Sequence, residues 1–145
     1  MNRLNVLVAG STGYIGVQLV KLLCKHRYIK IKYLCGNTSI GKKIHFYDKE
    51  LKKYDLPIYI NKFEASFWKK KYDNLIITGS NDTFSLGKSS VSTIHTPGHT
   101  PGSCCYLFDK NLIAGDTLFV FGCGRCDLHG GNPEEMYLSL IHISE

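Results

Sequence analysis

No apolar run in this chain approaches the ~18–20 residues that a membrane-spanning helix needs, and no low-complexity tract interrupts it. The start, MNRLNVLVAG, meets a glycine turn too soon to be a secretory signal. These absences exclude a helical span and point to a cytoplasmic protein whose six cysteines (Cys24, Cys35, Cys104, Cys105, Cys123 and Cys126) are free thiols. Acidic residues are scarce in the first half. Up to residue 73 there are 5 Asp and Glu against 15 Lys and Arg, a net +10; beyond it there are 7 against 3, a net −4. Such asymmetry marks some nucleic-acid-binding arms, but only WKKKY at 68–72 joins aromatics to a lysine run. A solvated basic face, with no nucleic-acid partner, is the expectation. A length of 145 residues suits one ordinary domain or two small pieces.

What is present divides the chain at a similar place. NVLVAG at 5–10 is a short valine-rich run ending in glycine, the pattern of a buried parallel strand. YIGVQLVKLLCKH follows, with Ile15, Leu19, Leu22 and Leu23 at helical spacing, and IKIKYLCG then alternates as a second strand should. This predicts a βαβ opening. From about 57 to 72 no period is clear; NLIITG then resumes strand character, and SSVSTIHT, SCCYLFD and NLIAGDTLF read as short strands, the last two joined by a turn at Asp109, Lys110 and Asn111. NPEEMYLSLI opens a helix, with Asn132 as N-cap, Pro133 at its first position and Glu135 placed to close a capping box.

Two motifs carry chemistry. GSTGYIG (Gly10, Ser11, Thr12, Gly13, Tyr14, Ile15, Gly16) lies between strand and helix. Glycines there allow a sharp turn, close approach to a phosphate and tight helix–strand packing, and the helix N-terminus offers free N–H groups to a pyrophosphate. The bland alternative is a glycine turn without ligand. No acidic residue ends the second strand, whereas Lys42 and Lys43 follow it, which favours NADP over NAD. The second motif is HTPGHTPG at 95–102, followed by LIAGDTLF and GCGR. It is too rich in proline and glycine for a helix, and it poses a choice between a metal site and a turn that contains histidine.

Residues 1 to about 57, through NVLVAGSTGYIGVQLVKLL, IKIKYLCGNTSIGKKI and DLP, resemble the start of N-acetyl-gamma-glutamyl-phosphate reductase, an NADP-dependent enzyme of arginine biosynthesis in the semialdehyde dehydrogenase superfamily. That resemblance implies a nucleotide-binding piece without the family's catalytic cysteine and histidine, since Cys24 and Cys35 fall inside the first βαβ unit.

The second constellation resembles the later half of a metallo-β-lactamase-fold hydrolase of the hydroxyacylglutathione hydrolase (glyoxalase II) kind. By that resemblance His99 is a metal ligand, Asp116 the carboxylate bridging two zinc ions, and Arg125 a basic position that binds a glutathione carboxylate, while His95 faces the fold interior or its edge. The implied substrate is a small thioester such as S-lactoylglutathione, attacked by a metal-activated hydroxide. A mononuclear-iron persulfide dioxygenase is a related alternative with the same GD and CGR features. Cys123 and Cys126 form C-x-x-C, which could bind zinc or act in redox chemistry, though the resemblance accounts for the segment as a substrate loop. Asp127 and His129 are not expected to be ligands.

The family's H-x-H-x-D-H motif occurs nowhere in the sequence, and SLIHISE stops within a helical pattern without a cap. The expectation is an α/β chain, composite and truncated: a partial Rossmann unit (1–57), a junction (58–75) and a partial metallo-β-lactamase αββα sandwich (76–145). An inactive composite of the two is a further alternative.

Overall fold

The computed structural model describes residues 3–36, 44–54, 56–68 and 75–145. Lys42 and Lys43, on which the preference for NADP rests, lie outside the described residues, as does most of the WKKKY run. Contacts divide the chain into two compact units, 1–60 with 70–77 and 86–89, and 61–69 with 78–85 and 90–145.

The first unit holds β1 (Leu4–Val8), α1 (Tyr14–Lys25), β2 (Ile29–Cys35), α2 (Ile44–Tyr47), a 3-10 turn (Lys49–Lys53), most of β3 (Ile58–Asn61) and most of β4 (Leu75–Thr78). The strands form one sheet in the order β1-β2-β3-β4, with β1, β2 and β3 mutually parallel. A parallel pair needs a crossover, and α1 supplies it between β1 and β2, so the βαβ opening is present as expected. Val8, Val17, Val20, Ile31, Leu34, Ile44, Leu51 and Ile58 make the apolar cluster under this sheet.

The helical spacing in α1 identified the helix but not its buried side. Val17 and Val20 face the core and Leu23, one of the four expected positions, packs against it, whereas Ile15, Leu19 and Leu22 are 80%, 42% and 68% exposed. Apolar residues lie on both sides of this helix, and periodicity alone does not say which of two stripes a sheet will cover.

The second unit holds α3 (Lys62–Trp68), β5 (Thr83–Leu86), β6 (Ser89–His95), β7 (Cys104–Phe108), β8 (Asn111–Ile113) and α4 (Pro133–Ser144), with Leu86 and Ser89 counted in the first unit. Its sheet runs β5-β6-β7-β8, and β6/β7 and β7/β8 are antiparallel. The β7–β8 turn places Asp109 at φ 50°, a left-handed conformation that aspartate tolerates better than most residues. β8 is shorter than the sequence pattern suggests, because Gly115 turns the chain at φ 55° and carries Asp116 off the strand end into a loop. α3 occupies part of the stretch where no period was legible; seven residues make two turns, too few for a period to show.

At the start of α4 the Asn132 side chain accepts from the N–H groups of Glu134 and Glu135, at 2.9 and 3.2 Å. The reciprocal half of the expected capping box is replaced, since the Asn132 N–H donates to the Gly98 carbonyl at 2.8 Å. A tertiary bond thus takes the donor that the Glu135 side chain would have satisfied.

Replacement of Leu34, fully buried in the apolar cluster, by alanine is expected to cost about 2–5 kcal/mol in the first unit. Chemical denaturation followed by circular dichroism measures it.

Candidate functional site

The glycine turn is built as the sequence motif requires. Gly10 adopts φ 68°, and a Cβ on Gly16 would collide with the Gly10 carbonyl, so helix and turn meet at a distance only glycine allows. Ser11 is fully buried and donates from both its N–H and its hydroxyl to the Cys35 carbonyl, at 2.9 and 3.1 Å. Thr12 is buried against Gly36, where a Cβ would meet its Oγ1 at 2.6 Å. Gly13 is the N-cap of α1 and, having no side chain, makes no capping hydrogen bond to the first turn. Tyr14 and Ile15 point outward, 86% and 80% exposed.

In the second unit the two halves of HTPGHTPG do different work. The His95 ring stacks on Phe63, centroids 4.6 Å apart, and its Nε2 lies 2.8 Å from the Pro101 carbonyl. A carbonyl can only accept, so this nitrogen carries the proton, and His95 serves the loop's structure. His99 Nδ1 lies 2.7 Å from the Arg125 carbonyl and is a donor by the same reasoning. Its Nε2 then faces Asp116 Oδ2 at 3.8 Å. The carbonyl thus fixes the orientation of the imidazole ring, with its other nitrogen directed at the Asp116 carboxylate.

Neighbouring groups hold this arrangement. A Cβ on Gly124 would collide with the Asp116 carbonyl and lie 3.3 Å from His99 Nδ1, so the GCGR glycine lets the two segments meet. The Thr96 and Thr117 hydroxyls, both buried, are 2.9 Å apart and join the two segments a second time. Ser139 of α4 donates to the Pro97 carbonyl at 2.7 Å.

Glu64, at 1% exposure, went unnoticed in the sequence. Its carboxylate accepts from the Gly102 N–H at 2.8 Å and from Trp68 Nε1 at 2.9 Å. The residue pins α3 to the histidine loop; the Glu-to-Trp spacing of four was its one visible signal.

Arg125 and Asp127 form a two-pronged pair, Nε to Oδ1 and Nη2 to Oδ2, each 2.7 Å, with side chains 64% and 68% exposed. The guanidinium holds the Asp127 carboxyl down to about 2. Cys123 is exposed; Cys126 is half-buried, donates to the Gly124 carbonyl at 3.4 Å, and has its thiol pKa raised, chiefly by burial. The His129 ring lies against Phe67 and Trp68. Among the described residues no group of three or more His, Cys, Asp and Glu could hold a metal ion, so His99 and Asp116 offer two donors where a catalytic zinc takes at least three.

Glu64→Ala is expected to lower the stability of this unit by about 1–3 kcal/mol, the cost of leaving the buried Gly102 N–H without an acceptor. Glu64→Gln, which keeps one acceptor oxygen, recovers part of that loss in the same denaturation measurement. The Asp127 carboxyl, followed by NMR, should titrate near pH 2 and return to the ordinary carboxylate range in Arg125→Ala. Because its pKa is depressed, whatever the pair contributes is present above the ordinary Asp pKa and fades as pH falls towards 2.

Comparison with known proteins gives two likenesses. Residues 5–81, just over half the chain, match the family profile "Semialdehyde dehydrogenase, NAD binding domain". The chain is also 35% identical over 114 residues to the probable polyketide biosynthesis zinc-dependent hydrolase PksB of Bacillus subtilis, covering 79% of this chain and 51% of that protein. It is 45% identical over 69 residues to hydroxyacylglutathione hydrolase of Shewanella halifaxensis, covering 48% of this chain and 26% of that one. Among solved structures, the BLEG-1 B3 metallo-beta-lactamase superposes with a TM-score of 0.65 at 22% identity, over 94% of this chain and 72% of its own. The chain spans about half the length of PksB and a smaller part of the Shewanella enzyme. The chain is therefore composite in its likenesses: it has a metallo-β-lactamase-type fold with similarity to zinc-dependent hydrolases, and through residues 5–81 it belongs to the semialdehyde dehydrogenase NAD-binding domain family.

Proposed function

We propose that the second unit is part of a metal-dependent thioester hydrolase of the hydroxyacylglutathione hydrolase kind, with His99 and Asp116 as two of its metal ligands. The observation that supports this most is the orientation of His99: Nδ1 is tied to the Arg125 carbonyl and Nε2 is directed at Asp116 Oδ2. The names of two relatives, a zinc-dependent hydrolase and hydroxyacylglutathione hydrolase, agree with that chemistry. A complete centre of this type supplies a water deprotonated near neutral pH. The described residues do not complete one, so no hydrolytic step is assigned to them; their part is to hold one imidazole nitrogen and one carboxylate oxygen towards a shared point.

Zinc titration against a competing chelator tests this. The chain is expected to bind zinc more weakly than a full three-ligand site, and His99→Ala and Asp116→Asn should each weaken binding by at least about tenfold. Equal zinc binding by wild type and His99→Ala overturns the reading.

The N-terminus of α1, without a side-chain cap at Gly13, favours a second reading, nucleotide binding by the first unit, with NADP(H) as the cofactor and the pyrophosphate against Gly10 to Gly16. Gly13→Asp places a carboxylate where that pyrophosphate would lie and should abolish NADPH binding measured by fluorescence. Unchanged binding in this variant removes the glycine turn as the site.

A further inference from the structure

Asp116 is the exposed member of the candidate pair: its side chain is 65% exposed, against 14% for His99. Little packs against such a carboxylate, so its place is set by the backbone that carries it. Asp116 occupies the third position of a tight turn from Ala114 to Thr117, with Gly115 at φ 55° and the Thr117 N–H donating to the Ala114 carbonyl at 3.0 Å. β8, which leads into this turn, is an edge strand of three residues and by itself a weak anchor.

Three buried side chains hold the turn from beneath. Cys105, Thr96 and Thr117 are 0%, 0% and 2% exposed. The Cys105 thiol donates to the Ala114 carbonyl at 3.6 Å, the Thr96 hydroxyl lies 3.5 Å from the Cys105 sulfur, and the Thr96 and Thr117 hydroxyls are 2.9 Å apart. A thiol has one proton. With that proton on Ala114, the sulfur accepts from Thr96, and the Thr96 oxygen is left to accept from Thr117. The polar chain therefore runs in one direction, from Thr117 through Thr96 and Cys105 to Ala114, and it begins and ends on the two residues that flank Gly115 and Asp116. Thr96 also closes the base of the histidine loop, its N–H donating to the Ser103 carbonyl at 2.8 Å. One residue thus anchors both segments.

We infer that Thr117 and Thr96 are positioning residues that act through this turn to fix the Asp116 carboxylate relative to His99, an inference that rests on the hydrolase reading only for what the pair would hold.

Hydrogen exchange followed by NMR on the full chain, without added metal, tests the hold on the turn. In the Thr96→Val/Thr117→Val double variant both hydroxyls are removed together, so neither is left buried without its partner and global stability stays close to wild type. The slow amides of the β5-β6-β7-β8 sheet, which report global opening, should change by less than about threefold, while the amide at position 117, which closes the turn, exchanges about tenfold faster. Thr117→Ser keeps the hydroxyl and should keep the wild-type rate at that amide. Equal acceleration of turn and sheet, or an unchanged turn, overturns the inference. Zinc titration tests the route: Thr117→Val should weaken zinc binding by about tenfold in the wild-type background and add nothing in Asp116→Asn, because it acts through that carboxylate. A further loss in Asp116→Asn overturns it as well. If the wild type binds no zinc, the metal reading fails alone, and the exchange rates still decide whether the two threonines hold the turn.

Discussion

The hydrogen bond from His99 Nδ1 to the Arg125 carbonyl is the contact on which the candidate metal site depends. It makes Nδ1 a hydrogen-bond donor and fixes the ring so that Nε2 is turned towards Asp116. The residues that bring these partners together are 26 apart in sequence, and several other bonds keep them so. Glu64 holds Gly102, the Thr96 and Thr117 hydroxyls meet in the interior, and α4 reaches the loop through Asn132 and Ser139. Each replaces a hydrogen bond to water, so each adds modestly to stability; leaving one half-made inside the unit would cost more than the bond contributes.

The two units are held by different physics. The first has a contiguous cluster of aliphatic side chains between sheet and α1, and its stability is mainly a matter of apolar area. The second buries threonines, serines and a carboxylate as well as Val91, Cys105 and Met136. Among the described residues no buried side-chain nitrogen or oxygen lacks a partner, so this polar interior is satisfied. A satisfied polar interior is directional, and direction is what a ligand-holding loop needs.

Cysteine chemistry has a minor place in this picture. None of the six cysteines forms a disulfide, and Cys35 and Cys105 are buried. The C-x-x-C pair flanks Gly124 and Arg125, whose roles are to let His99 approach Asp116 and to accept its proton donor. The spacing therefore belongs to a segment whose shape matters more than its thiols.

Much of the local structure was legible in the sequence because it rests on short-range rules. Glycine at 10, 13 and 16 specified the turn into α1; a valine-rich run specified β1 and the alternation of IKIKYLCG specified β2; Asn132 and Pro133 specified the start of α4. His99 and Asp116 stood out as a pair only through resemblance, since they lie 17 positions apart and no spacing rule connects them. Only tertiary structure decided that α1 buries Val17 and Val20 rather than the Ile15, Leu19 and Leu22 stripe, because a helix with two apolar sides offers both to the sheet. It also decided that a glutamate in a stretch without clear period reaches Gly102 and that Arg125 pairs with Asp127. Such contacts depend on which backbone groups are brought within about 3 Å of one another, and a linear pattern of residue types does not contain that distance.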